Sequence, residues 1–336
     1  MASVSIVILN YNGKHHLEMF LPTVILHSHA CDIVVADNNS SDGSIEYLTK
    51  SFPTVKIIPF DKNYGFCEGY NKALSQLDSE YCVLLNSDIE VTDNWITPII
   101  HLFTKNKDIA AVQPKLLDYH AKDTFEYAGG AGGFIDKYGY PFCRGRIFDT
   151  IEKDDGQYDD TREIFWASGA CLFIKRDLFK KYGGFDTEFF AHMEEIDLCW
   201  RLKQDEYKIF YCPESTIYHV GGGTLAYANP QKTYLNFRNS LMVLIKNLPS
   251  DELMPKLTFR WLMDLVAAFK FVLTGNIKDA IMVIKSHLYI WKNYDSIRNK
   301  RKKDIKSIVG TAGLYNKFLL FSYHIAGVRK FKDLKF

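Results

Sequence analysis

The stretch YCVLLNSD, Tyr81 to Asp88, decides the fold. Its five leading residues are apolar and read as a strand buried on both faces; the run then stops at Asn86-Ser87-Asp88. Open α/β sheets place their ligands at the carboxyl ends of interior strands, where Asp88 stands. A turn residue looks the same in isolation, so the neighbouring segments must choose.

Toward the N-terminus the same pattern repeats. Ser3–Asn10, Asp32–Ala36 and Val55–Pro59 read as strands, and His15–His27, Gly43–Lys50 and Gly65–Leu77 as helices. This alternation implies right-handed crossovers and a mainly parallel, covered sheet. Each strand runs into a polar cluster: Asn10-Tyr11-Asn12, Asp37-Asn38-Asn39-Ser40, Asn63-Tyr64-Gly65-Phe66 and Asn86-Ser87-Asp88. One such end is turn chemistry, whereas four along one edge describe a binding crevice.

Downstream, Trp166–Arg176 reads as another core strand and Glu194–Gln204 as a helix. Tyr207–Tyr211 and Ile217–Val220 read as two late strands, the second running into His219-Val220-Gly221-Gly222-Gly223. Gly129–Gly133 and Lys153–Gly156 look like loops, and Asp93 like the cap of a helix at Trp95. Beyond about residue 230 the pattern turns wholly helical.

A chain of 336 residues accommodates a large α/β domain with an appendage. Seven cysteines, none in a C-x-x-C pair, argue against a disulfide framework or zinc site and for a reducing cytoplasm. There is no basic leader and no apolar run of about 18 residues. The net charge of +1 hides an asymmetry: residues 251–336 carry 17 Lys and Arg against 7 Asp and Glu. Within Lys256–Leu273 the charged residues Lys256, Arg260, Asp264 and Lys270 share an arc of about 120° on a helix, and nearly everything else is apolar. Ile281–Trp291 is similar, and the basic run Arg298–Lys303 follows. A helical face lying peripherally on an anionic bilayer fits this composition, as does a helical subdomain with a solvated basic rim. The aromatic content suits lipid better than nucleic acid.

The chemistry is sought at the strand ends, since G-x-G-x-x-G, G-x-x-x-x-G-K-[ST] and H-E-x-x-H are all absent. A diphosphate ligand there meets no basic motif, so a divalent metal (Mn²⁺ or Mg²⁺) is the economical neutraliser, with Asp88 as its carboxylate. His219 is a second candidate ligand or a structural histidine. Glu194, Glu195 and Asp197 crowd one helix start, where they complement the dipole or supply a general base. Asp197 and Arg201 also have ion-pair spacing. Tyr11 is placed to stack on a base.

The segments VSIVILNYN (4–12), VVADNNSSDGS (34–44), NYGFCEGYNKAL (63–74), YCVLLNSDIEV (81–91), WASGACLFIKRDLF (166–179), GGFDTEFFAHMEEIDLCWRL (183–202) and YHVGGGT (218–224) give the chain its likeness. In this order it resembles the family 2 glycosyltransferases of GT-A fold, particularly bacterial rhamnosyltransferase-like members that build surface polysaccharides. The resemblance implies a Rossmann-like GT-A catalytic domain over 1–230; residues 231–336 are then the basic, helical region whose composition fits either membrane association or a packed helical subdomain. It implies a nucleotide crevice lined by Asn10, Tyr11, Asn12, Asp37, Asn38, Asn63, Gly65, Asn86 and Ser87, with Asp88 and His219 on a metal. Trp166, Ser168 and Gly169 would face the sugar or acceptor, and Glu195 would be the base, with Glu194 and Asp197 in reserve. The implied reaction is inverting transfer from a nucleotide-diphosphate sugar, dTDP-rhamnose among the candidates, to a glycan or lipid-linked acceptor. A non-catalytic nucleotide- or glycan-binding protein on the same scaffold and a sugar nucleotidyltransferase are the competing readings.

Overall fold

The computed structural model describes residues 2–221 and 229–336. Its first half follows the expected alternation to within one or two residues: β1 (Val4–Asn10), α1 (Lys14–Leu26), β2 (Asp32–Asp37), α2 (Ser44–Ser51), β3 (Lys56–Pro59), α3 (Gly65–Ser75) and β4 (Tyr81–Leu85). Strands β2 and β4 both pair parallel with β1, and β3 pairs parallel with β2. In the order β3-β2-β1-β4 the winding reverses beside β1, so the carboxyl ends of β1 and β4 border a crevice.

The chain continues through β5 (Ile89–Val91), α4 (Thr97–Lys105) and β6 (Ile109–Asp118). Four short strands follow: β7 (Gly133–Asp136), β8 (Pro141–Cys143), β9 (Arg146–Ile147) and β10 (Thr150–Ile151). Next come β11 (Arg162–Ile164), β12 (Cys171–Lys175), α5 (Arg176–Lys181), α6 (Glu194–Gln204) and β13 (Lys208–His219). Strand β12 lies antiparallel between β4 and β6, β13 runs parallel to β6, and β11 and β5 run against β13. The main sheet is therefore mainly parallel, with three strands reversed.

Alternation along β1 sends Ile6 and Ile8 toward Leu17 and Leu21 of α1 and Ile99 and Phe103 of α4. Val7 and Leu84 face the other way, into a core shared with Tyr70 and Leu74 of α3 and Leu198 and Trp200 of α6. Val83, Leu84 and Leu85 are fully enclosed, each contributing about 1.5–3 kcal/mol by burial. That enclosure fixes where the backbone of Asn86 to Asp88 emerges.

Last come α7 (Pro230–Asn247), α8 (Ser250–Leu273), α9 (Ile277–Asn299), β14 (Leu314–Tyr315) and α10 (Leu319–His324). The region is not wholly helical: β14 joins β7 in parallel and completes a second sheet of order β10-β9-β8-β7-β14. Leu241, Leu244 and Ile245 of α7 lie in the same core as α3 and α6, so the segments on either side of residue 230 share one interior.

Other expectations change for local reasons. The two late strands are one strand, β13, with a register shift between Cys212 and Thr216 at Pro213, which has no N–H to donate. The segment Trp166–Ala170 leads into β12 without belonging to it. Asp93 caps nothing, because helix α4 begins at Thr97 with Pro98 in its first turn. Gly133 lets the backbone pass against Trp166, whose ring would lie 2.2 Å from a β-carbon there. Gly222, Gly223 and Thr224 of the glycine turn lie outside the described residues.

Candidate active site

The ends of β1, β2 and β3 are tied together by their own side chains. Asn10, fully buried, donates from Nδ2 to Asp37 Oδ2 (2.8 Å) and Ser40 Oγ (3.1 Å). Asp37 Oδ1 accepts from the Ser40 N–H (2.8 Å). Asn12 Oδ1 accepts from the Ser41 N–H (2.8 Å). Asn38 donates to the Gly65 carbonyl (3.0 Å) and accepts from the Tyr64 N–H (3.2 Å), while Asn63 Oδ1 accepts from the Gly65 N–H (2.8 Å). Gly65 has φ of +70°, a conformation glycine adopts without a β-carbon clash. These residues frame the crevice. Tyr11 stands free at its mouth, 54% exposed.

Across the crevice, Asp88 follows β4 and is nearly buried. Its Oδ1 lies 3.3 Å from His219 Nε2, at the end of β13. Asn86 Nδ2 is also 3.3 Å from that nitrogen. The Val220 N–H donates to the Asp88 carbonyl (3.1 Å), which locks the two strand ends together. On the far side of the ring, Nδ1 sits 3.3 Å from Glu126 Oε1 but makes no aligned hydrogen bond. Burial works against a charged His219, but the carboxylates of Asp88 and Glu126 outweigh it and push the imidazole up to about 10. Burial likewise raises Asp88, and His219 more than offsets it, leaving the carboxyl below its ordinary value.

The third element is the start of α6. Just before it, Phe190, His192 and Met193 all have positive φ, at 65°, 70° and 75°. Such residues are costly and cluster at functional sites. Here they are held from outside: Asn239 of α7 donates to the carbonyls of Phe189 (3.0 Å), Ala191 (2.8 Å) and His192 (2.7 Å). Arg238 donates to those of Glu188 and Phe189, both at 2.9 Å. Phe190 reaches across to the Asn63–Gly65 loop, and its ring would lie 3.2 Å from a β-carbon on Gly65.

The strained turn delivers Glu194 and Glu195. Each has a buried Oε2 with no hydrogen-bond partner. Burial first, and then the neighbouring carboxylate, raise Glu194 well above the usual carboxylate range. Glu195 is raised by burial and partly relieved by backbone N–H groups at the helix start. It is the more open of the two, and it adjoins Gly169, where a β-carbon would be 3.9 Å from its own. Tyr70, enclosed beneath the crevice with its hydroxyl donating to the Leu85 carbonyl (3.1 Å), is raised mainly by burial and also by Asp88 and Glu194. One buried ring thus senses both carboxylate groups.

The profile of Glycosyl transferase family 2 matches residues 5–183. The chain belongs to glycosyltransferase family 2. It is a glycosyltransferase of GT-A fold. The N-acetylglucosaminyl-diphospho-decaprenol L-rhamnosyltransferase of Mycobacterium tuberculosis is 25% identical over 233 residues, spanning 64% of this transferase and 75% of that protein. The rhamnosyltransferase WbbL of Escherichia coli K12 is 24% identical over 218 residues, spanning 62% and 80%. Among solved structures, GalNAc-T7 with UDP, GalNAc and Mn²⁺ superposes with TM-score 0.57 at 16% identity, covering 74% of this transferase and 49% of that chain. The mannosyltransferase PcManGT from Pyrobaculum calidifontis, with GDP-Man and Mn²⁺, gives 0.51 at 13% identity, covering 88% and 83%.

The donor set of the transferase fits a metal carried by its substrate. Asp88 and His219 offer one carboxylate and one imidazole, and among the described residues no three metal-binding side chains form a closed chelate. Such a pair suits an ion that completes its shell with phosphate oxygens.

Three expected site residues are placed elsewhere. Asp197 is fully buried and engaged by Arg201 (2.9 Å), Lys246 (2.9 Å) and Asn247 (2.8 Å), an arrangement that ties α6 to α7. Trp166 is enclosed, with its indole donating to the Phe134 carbonyl (2.8 Å). Ser168 donates to the Ala128 carbonyl (2.6 Å) and supports that loop. Of Trp166, Ser168 and Gly169 only Gly169 adjoins Glu195. Sequence reasoning missed Glu126, Asn239 and His16, a half-buried imidazole on the first turn of α1 that interacts electrostatically with Asp88 and His219. Adjacent His15-His16 beside the Asn10–Asn12 cluster was the available signal for His16. Glu126 and Asn239 had none.

Proposed function

We propose that this transferase moves a sugar, with inversion, from a nucleotide-diphosphate sugar to a hydroxyl of a lipid-linked glycan in surface polysaccharide assembly. The observation that carries the reading is the Asp88–His219 pair at the ends of β4 and β13 together with a raised, partly open Glu195 at the start of α6, the two groups linked through Tyr70, which interacts electrostatically with Asp88 and Glu194. Rhamnose is the favoured sugar because two relatives are named rhamnosyltransferases, and a lipid-linked acceptor because one name specifies a diphospho-decaprenol substrate.

In this mechanism Tyr11 stacks on the base, and the Asn10–Asp37–Asn38 frame holds the crevice open to the nucleoside. Asp88 and His219 would hold Mn²⁺ or Mg²⁺, which when bound supplies positive charge to the departing diphosphate. Glu195 takes the proton of the acceptor hydroxyl, and that oxygen attacks the anomeric carbon from the face opposite the leaving group. Burial and the adjacent Glu195 raise Glu194 as well, which disfavours a second negative charge beside the departing diphosphate. Exchanging Glu195 for Gln removes the base and should cut transfer by about 10²–10⁴-fold while nucleotide binding stays intact. Transfer within a few-fold of the parent enzyme would remove Glu195 from this role.

A further inference from the structure

The hairpin of α8 and α9 is inverted in polarity. Facing inward, Arg260 is buried, donates to Ser240 Oγ (2.8 Å) and lies 3.8 Å over the Tyr140 ring. Asp264, also buried, meets His287 Nε2 at 3.0 Å. Facing outward are large apolar side chains: on α8 Trp261, Phe269 (63% exposed) and Leu273, and on α9 Ile281, Leu288 and Trp291 (82% exposed). Monomeric soluble proteins rarely expose an apolar surface of this extent without a partner for it.

The charges on that surface identify the partner. Lys270, Lys278, Lys285 and Lys292 are exposed among the apolar residues, and none has an acidic partner among the described residues. The only acids between residues 257 and 294 are Asp264, which is buried, and Asp279, which accepts from Thr233 Oγ1 (2.6 Å). A second copy of the chain meeting this face would set lysine against lysine. No helix among the described residues is long and apolar enough to cross a membrane. Apolar and aromatic side chains with interspersed lysines suit the headgroup layer of an anionic bilayer.

We propose that the outer face of α8–α9 docks on an anionic phospholipid bilayer, lying in its plane. The same hairpin holds the acceptor side of the active site. Tyr289 of α9 donates to Glu188 Oε1 (2.8 Å), and Lys300 donates to Glu188 Oε2 (2.6 Å) and Asp186 Oδ1 (2.8 Å). Docking therefore sets the strained turn before Glu194 close to the bilayer, where a lipid-linked hydroxyl arrives. That purpose rests on the proposed acceptor, but the docking itself does not.

The test is flotation of the full chain, without donor or acceptor, with vesicles of phosphatidylcholine alone or mixed with phosphatidylglycerol. The chain should float with the mixed vesicles, weakly with the neutral ones, and less as salt is raised. The double variant Phe269→Glu, Trp291→Glu should lose flotation roughly tenfold or more, with an unchanged Tm and unchanged nucleotide binding. Failure to float with mixed vesicles, or equal flotation of the double variant, would overturn the proposal. So would a dimer in sedimentation that the double variant dissolves. A chain that floats but transfers no sugar would count against the proposed reaction and leave the docking standing.

Discussion

The donor wall and the acceptor wall of the crevice are built on opposite plans. On the proposed donor wall, Asn10, Asp37, Asn38 and Asn63 bond to one another's loops over spans of up to 27 positions, leaving Asn10 Oδ1 as the one buried oxygen of these four side chains without a partner among the described residues. On the acceptor wall, three residues sit at positive φ, two glutamates hold unpartnered buried oxygens, and the restraint comes from α7, nearly 50 positions away. A nucleotide is a common ligand whose pocket can be set by local turns. A base must sit desolvated, and a desolvated carboxylate next to a second one is stable only if other elements clamp it. The donor wall is self-supporting, and the acceptor wall is supported by the C-terminal helices.

Breaking the clamp should have the largest effect among the positioning residues. Asn239→Ala removes donors from three carbonyls, a loss of about 2 kcal/mol if two bonds are not replaced, so kcat should fall roughly thirtyfold with donor KM unchanged. Steady-state kinetics decide the matter: an equal rise in donor KM would mean that the two walls are not separable. Next comes Glu126→Gln, which removes the charge behind His219. Titration of Mn²⁺ into the nucleotide-bound enzyme should show affinity about tenfold weaker, with metal-free nucleotide binding unaltered. The converse change, Asn10→Ala on the donor wall, should weaken nucleotide binding about fivefold, the equivalent of one hydrogen bond of about 1 kcal/mol, and leave single-turnover transfer from bound donor unchanged. The smallest signal is in pH. A base works deprotonated, and burial raises Glu195, so transfer should climb with pH along a limb displaced above the ordinary carboxylate value of about 4.3. Glu194→Gln should move that limb less than any change at Glu195, because burial already disfavours the charged form of Glu194.

The two walls also differ in how plainly the sequence announces them. The strand ends of the first half were legible because a hydrophobic run followed by Asn, Asp or Gly carries both the strand and its turn in adjacent letters. Asp88 could be picked out the same way, and the Glu194-Glu195 pair as acids crowded at a helix start. His219 was legible as a residue, but its partner Glu126 was not, since only the fold brings together positions so far apart in sequence. Trp166 and Ser168 misled because a small-residue segment beside a core strand looks open, and here the neighbouring glycine loop closes over it. Asp197 was legible in part: the ion pair with Arg201 follows from its spacing and is present, whereas its burial against Lys246 was not visible. The second sheet escaped notice because strands of two to four residues are too short to show a period.

That second sheet has a consequence for biosynthesis. Strand β7 gains its neighbour β14 only when residues 314–315 exist, and Asp136 accepts from the Leu319 N–H across 183 positions. At 5–20 residues per second a ribosome needs roughly 10–40 s to supply that segment. During this interval the edge of β7 has no partner from its own chain, while β1 to β4 are already complete. The nascent enzyme would therefore acquire its nucleotide half first, and chaperone demand should concentrate on the interval before the C-terminal strand emerges.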